Sequence, residues 1–135
     1  MPVVSVTRLR VRSLLFLPAF ILASLRIAKQ ARTAEGNLGV KLLRDRRNTF
    51  WTCTSWNSEE SMKSFVLDGD HGAVMRKLLS WCDEAALAHW SQETSELPSW
   101  DEAHRNLLRR GRTSKVNHPS AAQKAFRIDP PNSND

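Results

Sequence analysis

The stretch Thr49–Phe65, TFWTCTSWNSEESMKSF, begins with the residue types of a strand and ends with those of a helix. Alternation from Phe50 to Trp56 puts Phe50, Thr52, Thr54 and Trp56 on one face and Trp51, Cys53 and Ser55 on the other. Both faces carry bulky groups, which predicts a central strand covered on both sides. The two tryptophans fall on opposite faces, so without a bulge only one of them lines any given pocket. Asn57 or Ser58 can cap the helix that follows, and Glu59 and Glu60 sit at the positive end of its dipole. Met62, Phe65 and Val66 form its inward stripe.

Upstream, Asp45–Asn48 is a charged turn, and a hairpin is the natural link to a preceding strand, Leu38–Leu43, with one strongly apolar face. Gly36 and Gly39 punctuate the chain before it. Val3–Val11, VVSVTRLRV, is rich in β-branched residues and reads as a first strand. Between these strands the spacing of Leu17, Ile21, Leu25, Ala28 and Ala31 predicts a helix to about Thr33, with Pro18 tolerated in its first turn. The apolar run Leu14–Leu25 resembles the core of a secretory signal. It is shorter than the ~20 residues of a bilayer span and has no small-x-small cleavage site after it, so a buried first helix is expected and no membrane association.

Downstream, Asp68-Gly69-Asp70 breaks the helix, and a second helical piece begins near His71 with Val74, Met75, Leu78, Leu79 and Cys82 inward. Ala85–Ser91 reads equally as more helix or as a fourth strand ending at Trp90. Ser99–Glu102 is a capping box after Pro98, Trp100, Ala103, Leu107 and Leu108 form the stripe behind it, and Gly111 stands where the helix should stop. From residue 113 to 135 the apolar period is lost, and an extended or disordered tail is expected after a single domain over residues 1–112.

The 135 residues carry a formal net charge of +6. Basic residues cluster near Arg8–Arg12, Arg44–Arg47 and Arg105–Lys115, yet the last of these is not interleaved with aromatics, so nucleic acid is the last partner to expect. Cys53 and Cys82 form no CxxC pair, which argues against a zinc site or a disulfide scaffold and fits a reducing cytoplasm. Phosphate loop, nucleophile elbow and paired-carboxylate motif are all missing from the sequence.

Strand, helix, strand, strand, helix, strand, helix is the ferredoxin-like order: an α+β fold with a four-stranded antiparallel sheet and helices on one face. A bare second face would call for a second copy. The segment GNLGVKLLRDRRNTFWTCTSWNSEESMKSFVLDGDHGAVM, together with LPSWDEAHRNLLRRGR, resembles the antibiotic-biosynthesis-monooxygenase-like group of dimeric α+β barrel proteins. The carrying features are the Gly-led second strand, FWTCTSW, Ser58-Glu59-Glu60, Phe65, and His71 followed by Met75. The resemblance implies homodimers that pack sheet on sheet and a pocket between sheet and helices. It also implies, for some members, oxidation of aromatic polyketides by molecular oxygen without metal or cofactor. A related haem-degrading branch uses a tryptophan at the end of the third strand, a histidine on the second long helix and an asparagine on the first strand. Trp56 and His71 match the first two; the first strand holds no asparagine, and the chain has no tyrosine of the kind found around polyketide substrates.

The expectation is therefore a homodimer that binds a small apolar or aromatic molecule. His71 is the candidate catalytic base on the apolar stripe, Trp51 or Trp56 and Met75 are the candidate ligand contacts, and no metal or cofactor is needed. Haem on His71 and a non-catalytic dimer are the alternatives. His89, His104 and Cys53 have no partner in sequence that would activate them.

Overall fold

The structure, a computed structural model, describes residues 1–132, with backbone alone at Gly69 and Asp70; residues 133–135 of the expected tail lie outside the described residues. Five antiparallel strands form one sheet in the order β2-β3-β1-β4-β5. They are β1 (Val3–Val11), β2 (Asn37–Asp45), β3 (Thr49–Trp56), β4 (Cys82–Ser91) and the two-residue β5 (Arg112–Thr113). The first strand made is thus the middle one, bonded to β3 from Val3↔Trp56 to Arg10↔Thr49 and to β4 from Val3↔Ser91 to Val11↔Cys82. Ala85–Ser91, left open between helix and strand, is the core of β4.

A 3-10 turn over Leu14–Phe16 leads into α1 (Leu17–Thr33), with Pro18 in its first turn. The same region is long and apolar enough to cross a membrane by length and composition. Here it lies on the sheet and buries Phe20, Ala28 and Ala31. Ser58 caps α2 (Glu59–Val66) through the Ser61 amide, and α3 (Gly69–Ser80) follows after a short break. The chain enters β2 through Gly36 at φ +86, where an added Cβ would strike the Ser61 side chain. That position therefore needs glycine on both backbone and packing grounds.

Alternation assigns the faces. Val3, Ser5, Thr7 and Leu9 of β1 share one face with Phe50, Thr52, Thr54 and Trp56, and α1, α2 and α3 cover it. Val4, Val6 and Arg8 share the other with Trp51, Cys53 and Ser55. Two expectations fail on that second face. It is not bare: α4 (Trp100–Arg110) lays Trp100, Ala103 and Leu107 on Val4, Val6, Trp51, Cys53, Ala86, Ala88 and Trp90. Nor are residues 113–132 an extended or disordered tail. Val116 and Ile128 are each 8% exposed and enter the two main cores. Gln123 of the single-turn α5 (Ala121–Lys124) accepts from the Ala85 amide at 3.0 Å and donates to the Ser114 carbonyl at 2.9 Å. The packing has no period because the segment wraps irregularly past the outer edge of β4. The chain itself fills the face expected to meet a second copy.

Candidate functional site

Between the first face and α1–α3 lies a cavity of about 320 Å³. Its floor is short and polar: Ser5 and Thr7 of β1 beside Thr52 and Thr54 of β3. Its roof is Ile21, Ser24, Leu25 and Ala28 of α1. The space exists because small side chains face small side chains across the sheet–helix gap, where leucines and phenylalanines would close it. Phe20 and Phe50 do close it at one end, with ring centroids 4.8 Å apart.

The opposite end is an aromatic row. The Trp56 ring lies 5.3 Å from Phe65, and Phe65 lies 4.6 Å from the His71 imidazole. Trp56 is 1% exposed, and its Nε1 donates to Thr54 Oγ1 at 2.9 Å, so its indole is fixed as a wall. Met75, one helical turn beyond His71, and Met62 of α2 complete the wall. His71 Nδ1 is buried and has no hydrogen-bond partner among the described residues. Burial holds the imidazole below its ordinary pKa, partly opposed by the Asp68 carboxylate. At neutral pH the ring is therefore uncharged and able to accept a proton.

Of the expected site residues, the fold brings His71, Trp56 and Met75 to one cavity. Trp51 also borders it, but its indole belongs to the other face. There Nε1 donates to Asp45 Oδ2 at 3.1 Å, and the ring meets Trp100 and His104 edge-on at 6.3 and 6.2 Å. Trp51 is a core residue, so of the two tryptophans it is Trp56 that walls the cavity. His104 bonds the Ile128 carbonyl at 2.9 Å and ties down the C-terminal segment, while His89 is exposed on β4. Burial pushes both Cys53 and Cys82 up to about 12, which keeps them protonated and inert. The floor residues Ser5, Thr7, Thr52 and Thr54 went unread as site residues. Their signal was available: hydroxyl residues on matching alternate positions of two strands mark a solvent face or a cavity face. Among the described residues no group of three or more His, Cys, Asp or Glu side chains could hold a metal ion.

The architecture is that of the antibiotic biosynthesis monooxygenase-like proteins, an α+β fold on an antiparallel sheet. SnoaB, a cofactor-independent oxygenase from Streptomyces nogalater, superimposes with a TM-score of 0.59 at 19% identity, covering 73% of this chain and 98% of that one. A putative antibiotic biosynthesis monooxygenase from Deinococcus radiodurans gives 0.62 at 13% identity, with 73% and 99% covered. One from Nitrosomonas europaea gives 0.60 at 13%, with 67% and 89% covered. At these identities the likeness is one of fold. No curated protein matches the sequence. The chain belongs to the DUF3291 family, a domain of unknown function, whose model matches residues 24–128.

Proposed function

We propose that this protein binds a small, flat, largely apolar molecule in the cavity between the sheet and α1–α3 and acts on it as a cofactor-independent monooxygenase, with His71 as the base. The observation that carries the reading is the uncharged imidazole with a partner-free Nδ1 at the end of the Trp56–Phe65 row. An apolar cavity with one convergent polar group is the usual form of a small-ligand site. His71 takes an acidic C–H or phenolic proton, leaving an electron-rich carbanion against the aromatic wall. Molecular oxygen accepts those electrons and forms a C–O bond. The resulting peroxide takes a proton and loses water, so a methylene becomes a carbonyl with one oxygen atom in the product and one in water. The oxygenation step rests on the likeness to SnoaB, the binding step on the cavity itself.

Haem fits these residues poorly. The cavity stands near the small end of ligand sites, and the one Lys or Arg in its lining among the described residues, Arg44, lies over the Phe50 ring with Cζ 5.8 Å from its centroid. The two carboxylates of a haem would find no second cation there. A homodimer is part of the proposal, and with the second face filled, one surface open to a partner is β2. That strand is an edge of the sheet with Leu38 and Leu42 exposed.

Titration with a polycyclic phenol under nitrogen should quench tryptophan fluorescence in the wild type and in His71→Ala alike, because Trp56 is the wall in both. Admitting air should consume oxygen with the wild type and at least a hundredfold more slowly with His71→Ala. Absence of quenching in the wild type defeats the binding step. Quenching with equal oxygen consumption in both proteins defeats the role of His71.

A further inference from the structure

The second face ends in a different kind of opening, a polar cleft of about 580 Å³ between β1, the β2–β3 hairpin and the segment around α5. Arg8, Arg10, Arg46, Arg47 and Arg127 border it, against the carboxylates of Asp45, Glu84 and Asp129. We propose that this cleft is an anion site that takes a phosphate monoester or inorganic phosphate dianion. It is separate from the cavity under α1–α3.

The centre of the site is Arg8. It is 5% exposed and gives Nη1 to Glu84 Oε1 at 2.9 Å, while its Nε is buried with no partner among the described residues. A buried guanidinium N–H without an acceptor is costly, and in folded proteins such a group is met by a polar partner or an ion. Glu84 does not supply that acceptor: its oxygens receive Arg8 Nη1, Arg10 at 3.0 Å and Ser120 at 3.0 Å, and Arg8 Nε is left without a partner among the described residues. Burial alone would raise its carboxyl, but the hydrogen bond and charge of Arg8, with help from Ser120 and Arg10, hold it below the ordinary range. It is ionised and committed to these three donors. Arg10 is spent on Asp83, Glu84 and the Arg47 carbonyl.

The remaining cations are not spent. Arg46 and Arg127 have no ion-pair partner among the described residues, and Arg47 reaches only Asp129, at 3.9 Å with both side chains mostly exposed. The hairpin that offers Arg46 and Arg47 is itself strained. Arg47 and Asn48 stand at φ 56 and 57, a region that glycine or asparagine would occupy more easily than arginine. Planar guanidinium groups around one buried N–H match the geometry of a phosphoryl group. Among the described residues no aromatic side chain borders the cleft, since the Trp51 indole lies beneath Arg8 in the core with 1% exposure. A nucleic-acid base would have nothing to stack on. The volume leaves room for the organic part of a small phosphorylated metabolite beyond the anion itself.

The test is titration of the full chain with inorganic phosphate and with glycerol 3-phosphate, read by calorimetry and by Tm against chloride at equal ionic strength. Arg46→Ala/Arg127→Ala is the variant, since neither side chain packs in the core. Phosphate should raise the wild-type Tm, and the variant should bind at least tenfold more weakly with its unliganded Tm unchanged. Glycerol 3-phosphate binding several-fold tighter than phosphate identifies a metabolite site, and binding no tighter identifies free phosphate. The proposal is overturned by a shift no larger than that of chloride, or by one the variant leaves intact. It is also overturned if a single-stranded oligonucleotide binds a hundredfold tighter than either anion, with affinity falling steeply with salt.

Discussion

The two faces of the sheet are built on opposite plans. On the first, hydroxyl residues and alanines leave a cavity under α1, and the apolar groups present, Trp56, Phe65, Met62 and Met75, serve as walls. On the second, Trp51, Trp90, Trp100 and Leu107 interlock in one core. The densest packing lies away from the apolar cavity, and the cavity lies where packing is incomplete. One sheet can thus hold a tight core and an open pocket because strand alternation lets each face carry its own composition.

Three measurements would break or sharpen this contrast. The largest effect should come from ending the chain at Lys115. That removes Ile128, Phe126 and the Gln123 bonds to Ala85 and Ser114, and strips Ser120 from the buried Glu84. A loss of about 4 kcal/mol, seen as a fall of roughly ten degrees in Tm, is expected. An unchanged Tm would mean that the segment adds nothing to the second face.

Next is a pair of truncations, one on each face. Leu107 is 0% exposed amid the α4 core, so Leu107→Ala should cost about 3–4 kcal/mol in urea unfolding. Met75 already borders empty space, so Met75→Ala should cost less than about 1.5 kcal/mol and enlarge the cavity. Equal costs would erase the distinction between the faces.

The smallest effect is the pH dependence of His71. Because burial holds its folded pKa down, the unfolded chain binds the proton more readily. Stability should therefore be unaffected above the unfolded value of ~6.5, fall as the pH drops below it, and level off beneath the folded pKa. The ring is only partly buried, so solvent screening keeps the effect under about 1 kcal/mol. His71→Gln should remove that slope, measured as the difference between two pH–stability curves. If the curves stay parallel, the imidazole is not desolvated in the folded state and is not held uncharged by burial.

Local pattern made much of this legible in advance. β1 and α1 occupy the residues their composition indicates, Ser99 accepts from the Glu102 amide as the capping box requires, and α4 ends before Gly111. His71 and Met75 were readable as one group because helical spacing puts them on one stripe, while alternation left Trp51 and Trp56 as alternatives for the wall. The rest depended on contacts far apart in sequence. Val116 and Ile128 are isolated apolar residues in a polar stretch, and nothing local says that each lands in a core. Strand alternation separates Trp51 from Trp56, yet which face holds the cavity is decided by where α1 and α4 settle. The Arg8–Glu84 pair joins residues 76 apart, a separation no motif spans.

The position of β1 in the middle of the sheet also sets a timetable. Its two neighbours arrive late: β3 ends at Trp56 and β4 at Ser91. On the ribosome the earliest strand must wait for most of the domain to be synthesised before both its edges are satisfied. Until β3 is made, Leu14–Thr33, apolar enough to pass for a membrane span, has no sheet to lie on. Long-range pairing of this kind is slow to nucleate and leaves greasy segments exposed while it does. The nascent chain is thus at its most adhesive just before β3 emerges, and that interval is when a chaperone would matter most.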